Sequence, residues 1–288
     1  MRKHLYFGRN PLHLQAGPVR GEQVALEGET YYRVLNYDRL RPFFLSLVSS
    51  GDLWLFISST GALTAGRRHP DLALFPYYPE DKIHDAADST GSQTVLWARQ
   101  GRRQYLWEPF SSRAAGVYRV RRTLYKNTCG NKLVFEETNE DLALRFRYGW
   151  FNSEQFGFVR RAWLTNTSQA VVRVRLLDGL QNLMPWGVGG QFQLDKSNLL
   201  DAYKRNELLR PSGLALFRLS SIPIDRPEPA EALKATTVFG IGLPGALRLL
   251  STSQVERFRR GESVHEETDV RAERGAYLLQ SELRLGGG

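Results

Sequence analysis

Between residues 117 and 148 the chain passes through three strand-like stretches with only turn chemistry between them. Stretches 117–125 and 132–138 are joined by Lys126-Asn127-Thr128-Cys129-Gly130-Asn131, and Asn139-Glu140-Asp141 leads into 142–148. Val, Tyr, Phe and Thr suit a pleated surface, and Asn, Asp and Gly supply turn backbone, so this order predicts an antiparallel meander. The same grammar recurs along the chain. Residues 53–58 form an apolar run between Gly51-Asp52 and Ser59-Thr60-Gly61, while 94–98 and 103–107 flank the hairpin loop Gln100-Gly101-Arg102. Further strands are expected over 156–165, 171–178, 214–219, 237–241 and 276–284.

Helical signals are few. Over 197–209, Leu199, Leu200, Tyr203 and Leu208 follow helical spacing, and 254–260 reads as a short helix halted by Gly261. Residues 223–234, with Pro223, Pro227 and Pro229 among acidic residues, read as a surface loop. Neither a composition shift nor a fixed-period repeat divides the strands. The expectation is therefore one all-β domain over 1–288, a large two-layer antiparallel sandwich with one or two short helices.

At 288 residues and 42% hydrophobic, the chain can bury a sizeable core. Its single cysteine, Cys129, excludes an internal disulfide framework and any multi-cysteine zinc site. A reducing compartment follows, and with no export signal in the first residues and no apolar run near the roughly 20 residues that span a bilayer, the expected location is the cytoplasm without a membrane partner. The net charge of +9 rests on 32 Arg against 7 Lys. Arg119, Arg121, Arg145, Arg147, Arg173 and Arg175 occupy alternate strand positions, which reads as the solvated side of a sheet rather than a nucleic-acid patch.

No phosphate-binding loop or dinucleotide fingerprint is present, and His4, His13, His69, His84 and His265 are scattered, so no cofactor or metal is expected. The carboxylate pairs Glu136-Glu137 and Glu266-Glu267 read as surface charge, since strand neighbours point to opposite faces. Four segments carry more than a plain sandwich requires: 58–67 with the following 74–82, then 106–110, 148–158 and 177–187. Each mixes aromatics with amides, carboxylates or guanidinium at an expected strand end. A pyranose offers an apolar C–H face to a ring and hydroxyls to polar groups, so the mixture fits a sugar site. The candidate platforms are Trp107, Trp150 and Trp186, stronger as a set than singly, since any one of them suits core packing better. The candidate polar partners are Arg67, Glu108, Asp178, Gln181 and Asn182. Asp178, Gln181 and Asn182 could equally bond loop backbone, and Arg67 could instead pair with Asp81.

The same segments carry a resemblance. Gly-Ala-Leu-Thr-Ala-Gly-Arg (61–67), Leu-Phe-Pro-Tyr (74–77), Trp-Glu-Pro-Phe (107–110) and Leu-Asp-Gly-Leu-Gln-Asn-Leu-Met-Pro-Trp-Gly (177–187) resemble the N-terminal region of bacterial proteins related to cellobiose phosphorylase, of the glycosyltransferase 36 type. The resemblance implies a β supersandwich similar to galactose mutarotase, followed in the longer protein by a helical linker and a catalytic helical toroid. Because that group's catalytic acid and phosphate-binding residues lie in the toroid, no catalytic residue is carried onto this chain. The implied role is a non-catalytic N-terminal module that packs on the catalytic helical domain, helps form a homodimer, or contacts an oligosaccharide. Two alternatives stand beside it. One is a free-standing mutarotase-like enzyme, although the chain lacks that group's Asn-His-x-Tyr-Phe-Asn-Leu pattern and has no histidine in the quoted segments; the other is an interaction scaffold without sugar affinity.

Overall fold

In the computed structural model, which describes residues 5–14, 17–78, 80–221 and 234–288, the chain is all-β with a few short helices. Every ladder among the described residues is antiparallel. The meander is present as strands Val120–Asn127, Lys132–Asn139, Leu144–Ser153 and Gly157–Asn166. Glu29–Leu35 and Arg20–Leu26 extend it on the other side into a six-stranded sheet. Pairing Leu124 with Phe135 and Phe135 with Tyr148 lines apolar side chains along one face, while Thr123, Glu136 and Arg147 fall on the other.

That apolar face meets a five-stranded sheet ordered Arg103–Trp107, Gly91–Gln100, Val172–Leu183, Gly275–Leu285 and Leu247–Leu249. Leu96, Ala98, Val174 and Leu176 pack with Leu124, Phe135, Phe146 and Trp150 in the main core. Burial of this kind stabilises by about 25 cal/mol per Å2 of apolar surface, which is why the two layers hold together. The other face of the five-stranded sheet is buried too. Val95, Leu177, Leu249 and Leu278 pack against Val255 and Phe258 of the helix Val255–Arg259. Burial on both faces explains why 94–98 and 174–178 show little polar alternation.

Two four-stranded sheets complete the core. Phe44–Leu47, Leu53–Ser58, Leu63–Arg67 and Ala73–Phe75 contribute Leu55, Ile57 and Phe75, while Lys204–Leu209 and Leu214–Leu219, flanked by Asp269–Arg271 and Thr236–Val238, contribute Leu208, Ala215 and Phe217. No helix among the described residues is long and apolar enough to cross a membrane.

Three expectations need correction or fall away. The helix expected over 197–209 stops at Tyr203, and Lys204–Leu209 is a strand. Asn206 and Leu208 are buried while Arg205 and Glu207 are half-exposed, a two-residue alternation that outweighs the helical spacing of the leucines. Glu136 and Glu137 are not surface charge, since both are buried and ion-paired, to Arg147 and Arg122. Of the loop expected over 223–234, residues 223–233 lie outside the described residues. The helix expected over 254–260 is present at Val255–Arg259, followed by Gly261 at φ +79°.

Gly179 shows how closely the central strands approach. A Cβ there would lie 2.0 Å from the carbonyl oxygen of Tyr277 on the neighbouring strand. Gly179→Ala should therefore cost about 3 kcal/mol or more in urea unfolding, the upper range for overpacking. A loss below about 0.5 kcal/mol would contradict this packing.

Candidate functional site

Arg160 and Arg161 are neighbours in the strand Gly157–Asn166, so one must point between the layers and the other outward. Arg160 points inward. Its Nη1 and Nη2 donate to Asp178 Oδ2 and Oδ1 at 2.9 and 2.7 Å, and its Nε donates to Ser92 Oγ at 2.7 Å. Thr94 Oγ1 donates to Asp178 Oδ1 at 2.6 Å. The guanidinium also lies 5.4 Å from the ring centroid of Tyr148. Arg160 belongs to the six-stranded sheet and Asp178 to the five-stranded sheet, so this pair spans the two layers. Their side chains are only 7% and 11% exposed, a burial that two charges tolerate when paired and hydrogen-bonded on several sides.

Beside this pair the layers part into a shallow cleft of about 430 Å3, counted out to open solvent. Ser92, Gln93 and Thr94 of the five-stranded sheet form one side, and Tyr148 of the six-stranded sheet lies across from them. Thr60 and Gly61 close it from the turn after Leu53–Ser58; Asp88, Phe110 and Ser111 come from loops. Gly61 has φ +95°, and a Cβ there would lie 3.0 Å from Tyr148 Oη, so glycine lets the turn approach the phenol. Burial pushes the Tyr148 phenol well above its ordinary value, with Arg160 and then Arg122 pulling it partly back.

Phe110 is the most strained wall residue, at φ +67°. Its N–H donates to Glu137 Oε2 at 2.8 Å, and Glu137 also accepts from Trp107 Nε1 at 2.8 Å and Arg122 Nε at 2.7 Å. These bonds hold the 107–110 segment so that the Phe110 ring stands edge-on to Tyr148, centroids 5.2 Å apart. Asp88 is exposed and accepts from Ser112 Oγ at 2.9 Å. Behind Thr60, His84 Nδ1 lies 2.6 Å from Ser58 Oγ, but Ser58 is fully buried and accepts the Thr60 N–H, so this contact anchors the turn.

The expected site residues are distributed unevenly around this cleft. Asp178 and Gln181 stand behind it: Asp178 holds Thr94, and Gln181 Nε2 donates to Gln93 Oε1 at 3.1 Å and to the Asp88 carbonyl at 3.2 Å. Asn182, at φ +58°, donates to Thr90 Oγ1 at 2.8 Å, beside the register shift between Gln181 and Leu183. Glu108 accepts from Nε and Nη2 of Arg259, each at 2.9 Å, and ties the helix to this segment. Trp107 and Trp150 are 2% and 1% exposed and belong to the core, so neither presents a ring face for stacking. Aromatic burial in the sandwich outweighs any platform role for them. Trp186 is exposed under Lys234, 5.9 Å from its ring, away from the cleft lining. Arg67 pairs with Asp52 at 3.2 Å, and the Asp81 side chain lies outside the described residues.

The segments thus converge, although the particular residues shift. Thr60 and Gly61, Pro109 and Phe110, and Tyr148 line the cleft, with Asp178 and Gln181 directly behind it. Ser92, Gln93, Thr94, Asp88 and Arg160 escape a sequence reading; the available signal was the Arg160-Arg161 doublet within a strand. Hydroxyls, an amide, one carboxylate and the Phe110 ring equip the cleft to bind a polyhydroxylated ligand. No family model matches this chain, and no curated protein matches it.

Removing one charge of the interlayer pair strands the other. Asp178→Ala should destabilise by about 3–5 kcal/mol in denaturant unfolding, whereas Asp178→Leu combined with Arg160→Met should recover most of that loss. Equal losses in both variants would refute the pairing. Tyr148 gives a pH signature. Its folded pKa is raised above the unfolded value of about 10, so its contribution is complete below pH 10 and is lost as pH rises beyond it. Stability should fall above pH 10 less steeply in Tyr148→Phe than in the parent, and tyrosinate absorbance from Tyr148 should appear only on unfolding.

Proposed function

We propose that this chain is a non-catalytic, carbohydrate-associated β module of a larger cytoplasmic enzyme related to cellobiose phosphorylase, packing on a helical catalytic domain and contacting an oligosaccharide through its interlayer cleft. The observation that carries this reading is the convergence of three of the four stretches on which that resemblance rests: 61–67, 107–110 and 177–187 reach one cleft or the residues directly behind it, while 74–77 does not line it. The lining supports recognition of hydroxyls. Ser92, Thr94, Ser111 and Thr60 offer reversible donor and acceptor groups, Asp88 a bidentate acceptor, and Phe110 an apolar ring edge.

The reading is tested by titrating neutral oligosaccharides into the chain by calorimetry or ligand-observed NMR. Saturable binding is expected, weakened about tenfold or more in Asp88→Ala, since a hydrogen bond to a charged group contributes about 1.5–3 kcal/mol. Absence of binding across a broad panel would favour the scaffold reading. Unchanged affinity in Asp88→Ala would move the site elsewhere.

A further inference from the structure

The outward face of the six-stranded sheet is not a plain solvated surface. Tyr31, Tyr125 and Val134 are buried there, with Val24, Leu26 and Phe151 packed against them. A groove on this face is lined by Leu26, Glu27, Tyr31, Val134, Arg147, Phe151 and Trp163. Leu26 belongs to one edge strand and Trp163 to the other. Six strands laid flat would place their edges about 24 Å apart, so a single groove drawing on both means that the sheet curls toward this side. Gly149 helps shape it, since a Cβ there would lie 2.8 Å from the Phe151 ring and 3.0 Å from Val134. Without that Cβ, Phe151 lies down on the sheet.

The charges on this face are unbalanced. Its carboxylates Glu22, Glu29 and Glu136 are consumed by Arg33, Lys132 and Arg147. Arg121, Arg145 and Arg161 form no ion pair among the described residues, and all three lie on the same face as Arg147 and Trp163 or directly beside them in register. Arg161 instead rests over the Trp163 ring, 4.8 Å from its centroid. The one further carboxylate on the lining, Glu27, sits in the hairpin turn at the far end.

We propose that this concave face binds an acidic oligosaccharide, with sugar rings along Phe151 and Trp163 and anionic groups at Arg161, Arg145 and Arg121. Ring edges and aliphatic carbons form the floor: Phe151 stands at 71° to Trp163, and Arg161 covers one face of the indole. Such a floor suits the C–H faces of pyranoses better than the flat stacking that nucleobases require. The proposal is independent of the interlayer cleft, which lies on the other side of this sheet and offers no unpaired cation.

The test is calorimetric titration of the intact chain with an oligogalacturonate, a cello-oligosaccharide of equal length and an oligothymidylate. The oligogalacturonate should bind, with affinity falling as salt rises, and should lose about tenfold in Trp163→Ala and in the double variant Arg145→Gln/Arg161→Gln. Trp163→Phe, which keeps a ring, should stay within about threefold of the parent, and Asp88→Ala in the cleft should bind the acidic oligomer unchanged. Melting curves matching the parent show that the variants are folded. Neutral-oligomer binding that is as tight and equally weakened by Trp163→Ala overturns the proposal, as does equal or tighter binding of the oligonucleotide, no binding of the oligogalacturonate, indifference to the groove variants, or loss in Asp88→Ala.

Discussion

A guanidinium and a carboxylate leave water together only when each finds nearly all its hydrogen-bond partners in the protein, and Arg160 and Asp178 meet that condition from two different sheets. Their fork geometry sets the spacing of the layers at one end of the sandwich. Everything near the cleft takes its position from that pair: Ser92 and Thr94 as its hydroxyl partners, Tyr148 as the ring beneath the guanidinium, and Gln93 on the same strand. Apolar burial supplies most of the stabilisation elsewhere between the sheets, but it is non-directional. The ion pair adds direction where the apolar contacts run out.

Other buried or half-buried carboxylates extend the same principle into the loops. Glu137 gathers Trp107, Arg122 and the Phe110 amide, and Glu267 gathers the amides of Leu250 and Ser251 with the Gln254 side chain. Glu108 reaches Arg259 and joins the 107–110 segment to the helix behind the five-stranded sheet. A left-handed backbone at a bulky residue costs about 1–3 kcal/mol, and at Phe110 the bonds to Glu137 offset it. Strain retained at a cleft wall places a ring where regular backbone could not.

Strand positions were readable because most strands have one polar face or clear turn residues at their ends. The meander from Val120 to Ser153 begins and ends within a few residues of expectation, apart from the end of its third strand. Lys204–Leu209 was not readable, since its leucines fit helical spacing as well as alternation and only pairing with Leu214–Leu219 decides between them. The site was legible as segments and not as residues. A tryptophan in a strand shows the same letters whether it faces core or cleft, and Trp107 and Trp150 face the core. Glu136 and Glu137 looked like solvent charge because their partners Arg147 and Arg122 are distant in sequence. Ser92 and Thr94 carry no local signal, because their roles exist only once Arg160 crosses between the layers.

The most direct test of this arrangement is a crystal structure of the chain grown with a neutral oligosaccharide. The account expects a sugar unit in the interlayer cleft, its hydroxyls within hydrogen-bond distance of Asp88, Gln93 or Thr94 and its ring against Phe110, with Arg160 still paired to Asp178. Sugar bound only away from the cleft, or Arg160 released from Asp178 into solvent, would contradict it.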